Sequence, residues 1–247
     1  MKKSTPALLI ALAILSMGLN ACREEKFSLD SRGAGSLATC QAMGKKNKYD
    51  DMINCLEAFK SRAEGAESSA TAELAIADAY FLKKDYLVAA EAYNGFIEGH
   101  SSHPKVPYAY YKSGLSYFRQ TPKSVDRDQS QLENAVKALG AVVNYYPGSP
   151  YAKEAAEAYK IARSKQARKN FTIGRFYYRF HEYLAAIPRF ETVVTDFTNM
   201  GLDEESFFYL IASLKKTQQT DVAMRYFEVF KQHYPNSSYV KKTAGLF

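Results

Sequence analysis

Apolar residues recur with the spacing of helices along most of the chain. From Ala38 to the carboxyl end, no stretch alternates polar and apolar residues in the way a half-buried strand does. The helical stretches come in pairs, and small residues occur where the two helices of a pair would cross. The sequence therefore predicts an all-α fold built from repeated helix pairs.

Proline-containing junctions mark the boundaries of these pairs. Residues 146–151 (YPGSPY) and 234–239 (YPNSSY) share one pattern, and residues 103–108 (HPKVPY) are a weaker third copy. Proline cannot continue a helix, whereas Ser149 or Ser237 can accept a hydrogen bond from an N–H group of the next helix. Each junction is therefore predicted to separate two helical units.

The spacing of small and aromatic residues gives the length of the repeat. The recurring positions are Ala77, Tyr80, Tyr86, Ala89, Tyr93 and Phe96 in one pair, Gly174, Tyr177, Tyr183, Ala186, Phe190 and Val193 in a later pair, and, more loosely, Leu210, Leu214, Ala223, Phe227 and Phe230 in the last. A period of about 34 residues is typical of tetratricopeptide repeats. We expect a right-handed α-solenoid of about five tetratricopeptide-like helix pairs.

This interpretation divides the chain into four regions. They are a signal peptide (1–21), a lipidated flexible tether (22–37), amino-terminal repeats (38–105) and carboxy-terminal repeats (106–247). The third helix pair carries a polar insert, residues 120–131, which contains Pro122. We expect this insert to be a surface loop that ends in a helix cap near Asp126 or Asp128.

The amino terminus has the features of an export signal. Lys2 and Lys3 precede an apolar run, residues 7–15, that is too short to span a membrane. The run Leu-Asn-Ala-Cys that ends at Cys22 resembles the bacterial lipobox, in which the cysteine is lipidated and becomes the mature amino terminus. Arg23 follows it, and the absence of Asp there indicates the outer membrane.

Export also restricts the partners. Residues 1–21 contain two lysines and no acid, so their removal lowers the formal charge from +7 to +5. A mildly basic exported protein suits acidic protein partners or lipid headgroups, and nucleic acid is not an expected partner.

Two of the three cysteines lie in the first helix pair. Cys40 and Cys55 are almost equidistant from a turn expected near Asn47, so they should face each other in an antiparallel hairpin. Exported proteins occupy compartments where disulfides persist. The pair is either a disulfide or two buried free thiols.

Catalytic motifs are missing from the sequence. It contains no GxSxG, HExxH, CxxC or Walker loop. His100 and His103 have an HxxH spacing without a third or fourth ligand, which is more typical of solvated turn residues than of a metal site. We therefore expect no enzyme activity, no metal and no cofactor.

A basic stretch and a set of tyrosines are the candidate binding features. Residues 160–179 contain seven Lys or Arg and no acid, and three of the arginines, Arg168, Arg175 and Arg179, share a helical face. Such a face is either solvated or a docking surface for an acidic partner. The tyrosines should mostly pack between repeats, and some should line a concave peptide groove; the groove candidates are Tyr80, Tyr86, Tyr110 and Tyr117.

Taken in order, these motifs resemble the BamD family of outer-membrane β-barrel assembly lipoproteins. The resemblance rests on the lipobox, the repeated junctions, the run from His103 to Gly114, the long insert, and the segment 177–190 with Arg189 after the repeat's alanine. It covers residues 22–239. The degenerate first repeat, the cysteine pair and the absence of Trp depart from the family pattern.

The resemblance implies a non-enzymatic scaffold on the periplasmic face of the outer membrane. Its amino-terminal repeats would receive unfolded outer-membrane proteins, and its carboxy-terminal repeats would bind the POTRA region of the barrel subunit, with Arg189 at the contact. Other assembly lipoproteins would be further partners. A pilotin for a pilus or secretin and a cell-wall coordination factor remain as alternatives, because both would share the lipid anchor and the repeat scaffold.

Overall fold

The computed structural model describes residues 36–124 and 127–247. Within these ranges the chain forms eleven α-helices and no strand, which confirms the all-α prediction. The helices are α1 (Leu37–Gly44), α2 (Tyr49–Lys60), α3 (Ala66–Lys83), α4 (Tyr86–Gly99), α5 (Val106–Gln120), α6 (Ser130–Tyr145), α7 (Ala152–Arg179), α8 (Tyr183–Asp196), α9 (Asp203–Lys216), α10 (Thr220–His233) and α11 (Ser238–Ala244).

Five successive helix pairs, α1–α2 to α9–α10, stack in chain order, and α11 packs on α9 at the end. The predicted signal peptide, the lipidation site Cys22 and the candidate cap Asp126 lie outside the described residues. Leu37, which the sequence assigned to the tether, is the first residue of α1. No helix of the described part is both long and apolar enough to cross a bilayer.

The turn within four of the pairs has one common geometry. A single residue adopts positive φ in each: Asn47 (58°), Lys84 (69°), His181 (64°) and Gln218 (63°). The N–H of the following residue then donates to the carbonyl five residues earlier, at 2.9 to 3.2 Å. This bond satisfies a carbonyl that the end of the helix leaves unpaired. The turn expected near Asn47 is therefore the same closure that three later pairs use.

The third pair differs because nine residues, 121–129, separate the end of α5 from the start of α6. Asp128 accepts hydrogen bonds from the Ser130 backbone N–H at 3.0 Å and from the Ser130 hydroxyl at 2.8 Å, just before α6 begins. Gln129 is buried, and its side-chain amide donates to the carbonyl of Ser124 at 2.8 Å. Gln129 thus anchors the segment before α6 from the inside. The sequence around it did not reveal this role.

Small residues lie at the helix crossings, as the repeat pattern requires. A β-carbon added to Gly114 would come within 2.6 Å of Leu139 Cγ, and one added to Gly174 within 2.9 Å of Phe190 Cε1. Ala77, Ala89 and Ala186 are likewise fully buried. Because these positions carry little or no side chain, the large residues of the partner helix can fill the crossing.

The two Tyr-Pro junctions close in the same way. Ser149 N–H donates to the Tyr146 carbonyl at 3.0 Å, and Ser237 N–H donates to the Tyr234 carbonyl at 3.0 Å. Each serine hydroxyl then accepts the N–H two residues later, at 3.0 and 3.1 Å. The first junction opens α7, with 28 residues, and the second opens α11, with seven. The motif therefore starts a helix without setting its length.

Buried apolar residues of the described chain form four clusters between the helices. Val106 and Ala109 of α5 share one cluster with Tyr93 and Phe96 of α4, so packing continues across the boundary between residues 105 and 106. At the amino-terminal end, Cys40 and Cys55 form a disulfide with Cα atoms 5.4 Å apart, and both residues are buried. This bond ties α1 to α2.

Candidate docking surfaces

Three of the four groove tyrosines lie between repeats, and Tyr86 packs within its own helix pair. Tyr80 packs on the clusters on both sides of α3, and Tyr86 meets Phe81 edge to face at 5.4 Å between ring centroids. Tyr110 packs near Tyr146 with its centroid 6.1 Å away, and burial raises the pKa of Tyr110. These three rings therefore contribute to packing first, and only their exposed parts can reach a ligand.

Tyr117, the fourth groove candidate, belongs to a hydrogen-bond chain between α4 and α5. Its hydroxyl accepts from the side-chain amide of Asn94 at 2.9 Å. The amide oxygen of Asn94 accepts in turn from the buried Ser113 hydroxyl at 2.8 Å. The Tyr117 hydroxyl thus orients Asn94. Because it is engaged in this hydrogen bond, the hydroxyl is less available to a peptide.

A cavity of about 390 Å³ opens beside these repeats, between α1, α3 and the turn from α4 to α5. None of the four predicted tyrosines lines it; its walls are Gln41, Glu67, Thr71, Leu74, Ala75, Asp78, His103, Lys105 and Tyr108. The carboxylate of Asp78 accepts the hydroxyl of Tyr108 at 2.6 Å and also the hydroxyl of Tyr93. Burial, followed by the nearby Asp78 carboxylate, raises the pKa of Tyr108.

His100 and His103 contact carboxylates of α3. His100 Nε2 lies 2.9 Å from Glu73 Oε2, and Lys60 Nζ lies 3.3 Å from the other oxygen of Glu73. Although burial by itself raises the pKa of Glu73, the His100 hydrogen bond and the Lys60 charge lower it overall. His103 Nδ1 accepts the Lys105 N–H at 3.0 Å, and its Nε2 faces Glu67 at 3.3 Å. The two histidines thus hold the turn against α3 rather than lying free in solvent.

The basic stretch of α7 is partly occupied by contacts within the protein. Arg163 donates to the carbonyl of Asp196, and Lys165 donates to the carbonyl of Pro122 in the insert loop. Arg175 forms an ion pair with Glu205 of α9 at 2.7 Å and lies over the Tyr209 ring at 4.6 Å. The acids and acceptors missing from the sequence of α7 are therefore supplied by neighbouring elements. Arg175 is committed to α9, which removes it from the centre of the predicted docking face.

The other predicted arginines are exposed. Arg168 and Arg179 lie on the surface of α7, and Arg179 is 5.3 Å from the centre of the Phe180 ring. Arg189 is exposed on α8, where it donates to Asn170 of α7 at 3.4 Å. This long hydrogen bond brings Arg189 against α7, whereas Arg175 faces α9.

The described residues include no group of three or more His, Cys, Asp and Glu side chains arranged to hold a metal ion. The arrangement offers a long helical surface, one cavity with a carboxylate, and exposed guanidinium groups. Such features suit the binding of other polypeptides. The fold places the protein in the class of all-α, tetratricopeptide-like repeat proteins.

Comparison with known families assigns the chain within that class. Residues 38–226 match the family model YfiO, described as "Outer membrane lipoprotein". This match spans most of the chain, which therefore belongs to that family, and the resemblance to BamD stated above is confirmed.

Curated relatives carry one name. The chain is 29% identical over 236 residues to "Outer membrane protein assembly factor BamD" of Rickettsia prowazekii, covering 94% of this chain and 93% of the relative. It is 26% identical to the protein of that name from Caulobacter vibrioides, covering 77% and 62%, and 23% identical to that of Neisseria meningitidis serogroup B, covering 92% and 91%. Among solved structures, the TPR2AB-domain:pHSP90 complex of yeast Sti1 is 14% identical to this chain and covers 83% of it and 80% of that chain. The TM-score is only 0.38, which is too low to indicate a relationship.

Proposed function

We propose that this protein is a lipid-anchored assembly factor for outer-membrane proteins, a non-enzymatic scaffold on the periplasmic face of the outer membrane. The observation that carries the proposal is the family match over residues 38–226, together with the Rickettsia prowazekii relative, which is named as an assembly factor and is covered over 93% of its length. In this proposal the amino-terminal repeats receive unfolded outer-membrane proteins, and the carboxy-terminal repeats bind the POTRA region of the barrel subunit. Cys22 carries the lipid anchor.

The partner contact is assigned to Arg189. Its guanidinium is exposed and makes one long hydrogen bond to a neutral amide, so a carboxylate of a partner can replace Asn170 at little cost. Arg is suited to this exchange because its planar fork can make two parallel hydrogen bonds to one carboxylate. Arg168 and Arg179 lie on the same helix pair and would act at the edge of the contact, where charges mainly affect association rates.

Reception of substrate is assigned to the region of the cavity between α1, α3 and α5. Tyr108 and Asp78 form a polar wall there, and Leu74 with Ala75 gives an apolar one. An extended peptide needs both kinds of surface, since its side chains alternate while its backbone requires hydrogen-bond partners. Tyr80 and Tyr110 support this wall because they pack on the cluster that contains Leu74. Tyr86 and Tyr117 have no such contact and do not line the cavity.

Affinity purification from detergent-solubilised envelope tests the general role. We expect the lipidated protein to co-purify with a POTRA-containing barrel protein and with other assembly lipoproteins. Recovery of secretin multimers or of wall-synthesis proteins in their place would contradict the proposal. For the anchor, labelling with a fatty-acid analogue should mark the wild type and not Cys22→Ala; equal labelling of both would show that Cys22 is not the acylated residue.

Titration of the purified mature protein with the POTRA fragment tests the contact. If Arg189 makes a buried bidentate pair, Arg189→Ala should weaken binding by about 2–5 kcal/mol, mainly through faster dissociation, and Arg189→Glu should weaken it more. The matched control is Arg168→Glu, which changes charge at the edge and should have a much smaller effect. Binding by folded Arg189→Glu that equals the wild type would remove Arg189 from the contact.

A further inference from the structure

Phe176 on α7 and Phe180, the residue just after this helix, are both exposed, and no other part of the described chain covers them. Phe176 and Phe180 are 51% and 56% exposed, and their ring centroids are 4.7 Å apart, one helical turn from each other. Phe207 and Phe230, by contrast, stack at 4.9 Å inside the core. A pair of adjacent exposed aromatic rings is unusual on a polar helix and is the kind of feature that interfaces bury.

Helix geometry places these rings on the same side of the α7–α8 pair as Arg189. Tyr178 packs on Tyr209 of α9, and Phe176 lies two residues earlier, about 200° around the helix. Glu191 of α8 accepts a hydrogen bond from the Tyr226 hydroxyl of α10. Arg189 lies two residues before Glu191, again about 200° around the helix. Both Phe176 and Arg189 therefore point away from the last helix pair.

The insert loop covers the preceding part of the same face of α7. Lys165, which donates to the Pro122 carbonyl, lies 11 residues before Phe176, and Lys169 lies seven residues before it. At about 100° per residue, both lysines are within about 20° of Phe176 around the helix. Asp128 of the loop has its pKa lowered by its hydrogen bonds to Ser130 and, to a lesser extent, by the charge of Lys169. Asp128 is thus within electrostatic reach of Lys169, and the face is exposed at Thr172 and Phe176.

We propose that this open face, centred on Phe176 and Phe180 and bounded by the insert loop and Arg189, is the apolar centre of the surface that docks the POTRA module. This inference rests on the proposed function and adds the residues that supply most of the binding. The matching site on the partner is an apolar patch ringed by carboxylates, because Arg179 lies over the Phe180 ring and Arg189 borders the face. Buried aromatic anchors with charged residues around them are the usual centre of such interfaces.

Charge argues against a second copy of the chain as the occupant. A second copy of the chain would bring this face against itself in a symmetric contact, which would oppose Arg179 and Arg189 with their own counterparts. An anionic lipid surface would attract Arg179 and Arg189 and would be opposed only by Glu182, which is exposed just after the aromatic pair. Co-sedimentation with anionic vesicles therefore distinguishes lipid from a protein partner. A protein surface with carboxylates around an apolar centre accommodates both the arginines and, off to one side, the acid.

The experiment titrates the mature protein with the POTRA fragment of the barrel subunit from the same genome. The double variant Phe176→Ala, Phe180→Ala should bind about tenfold to hundredfold more weakly, mostly through faster dissociation. The double variant Phe176→Leu, Phe180→Leu keeps apolar area and should retain most of the affinity. The matched control, Met224→Ala with Val229→Ala, removes two exposed apolar side chains from α10 and should bind as the wild type does. Circular dichroism melts check that every variant folds.

The outcomes separate this inference from the proposed function. If the wild type and the Phe→Ala double variant bind the POTRA fragment equally well, the inference is overturned and the proposed function is left intact. Absence of wild-type binding would overturn both. Two further outcomes would also overturn the inference. If the Phe→Ala pair keeps POTRA binding but loses co-sedimentation with anionic vesicles, the face binds lipid. If it keeps POTRA binding but loses dimerisation in ultracentrifugation, the face binds a second copy.

Discussion

The first and last helix pairs show two ways of holding the end of a repeat array. In α9–α10, six large apolar residues are buried in one cluster: Phe207, Leu210, Ile211, Leu214, Phe227 and Phe230. In α1, only Cys40 is buried among eight residues. An isolated helix of this length is unstable in water. The disulfide to Cys55 therefore does for α1 what aromatic packing does for the last pair.

This difference shows how an array can tolerate a degenerate terminal repeat. Each pair contacts only its neighbours, so a terminal pair has half the packing partners of an internal one. The last pair compensates with large rings and with α11, which packs on α9. The first pair compensates covalently, because the disulfide holds α1 to α2. Three changes would test this contrast.

Truncating the aromatic core of the last pair should have the largest effect. Phe230 is fully buried and stacked on Phe207, so Phe230→Ala should lower the free energy of unfolding by about 3–5 kcal/mol. Hydrogen exchange should accelerate in α9 and α10 and remain unchanged in α1 and α2. Val229→Ala, at a neighbouring exposed position, is the control and should change stability by less than about 0.5 kcal/mol. Equal acceleration throughout the chain would mean that the ends are not independent.

Removing the disulfide should have a smaller effect, confined to the other end. Closing the loop between Cys40 and Cys55 is worth about 3 kcal/mol in the chain-entropy model, and Cys40→Ala with Cys55→Ala removes it. Amides of α1 should then exchange rapidly, while those of α9 and α10 keep their protection. The non-reduced, denatured wild type should offer neither thiol to an alkylating agent. Two reactive thiols there would show that α1 is held in another way.

The smallest expected effect is electrostatic and belongs to the amino-terminal half. Since His100 and Lys60 lower the pKa of Glu73 relative to its unfolded value near 4.5, the charged carboxylate stabilises the fold above that pH. This contribution should disappear as the pH falls through the lower, folded pKa. Urea unfolding should therefore find Glu73→Gln less stable than the wild type at about pH 7, with the difference shrinking toward about pH 3. A constant difference would exclude the carboxylate charge as its cause.

Features carried by contiguous residues were predictable from the sequence. The helix pairs, the Tyr-Pro junctions and the glycines at crossings follow from the 3.6-residue period and from proline and serine chemistry, which act within a few residues. The facing cysteines followed from their symmetry about one turn. Local signals nonetheless have limits. Asn94-Gly95 is a strong hairpin signal by itself, yet it lies inside α4, where packing between repeats determines the conformation.

Partners distant in sequence were not predictable. Arg175 and Glu205 are 30 residues apart, and His100 and Glu73 are 27 apart, so no local pattern distinguishes a paired side chain from a solvated one. The basic stretch of α7 was interpreted as one surface, whereas tertiary contacts divide it into structural and exposed cations. The exposed Phe176 and Phe180 were equally hidden, because the same spacing would have suited a buried face.

The length of α7 has a geometrical consequence for the whole scaffold. Its 28 residues extend over about 42 Å, and it contacts α5 and α6 near one end and α8 and α9 near the other. One unbroken helix therefore sets the rotational phase between the two halves of the array. A single residue inserted into its middle would turn everything that follows by about 100° and advance it by about 1.5 Å. The angle at which the cavity-bearing end and the Arg189-bearing end face one another is thus fixed by the number of residues in this helix.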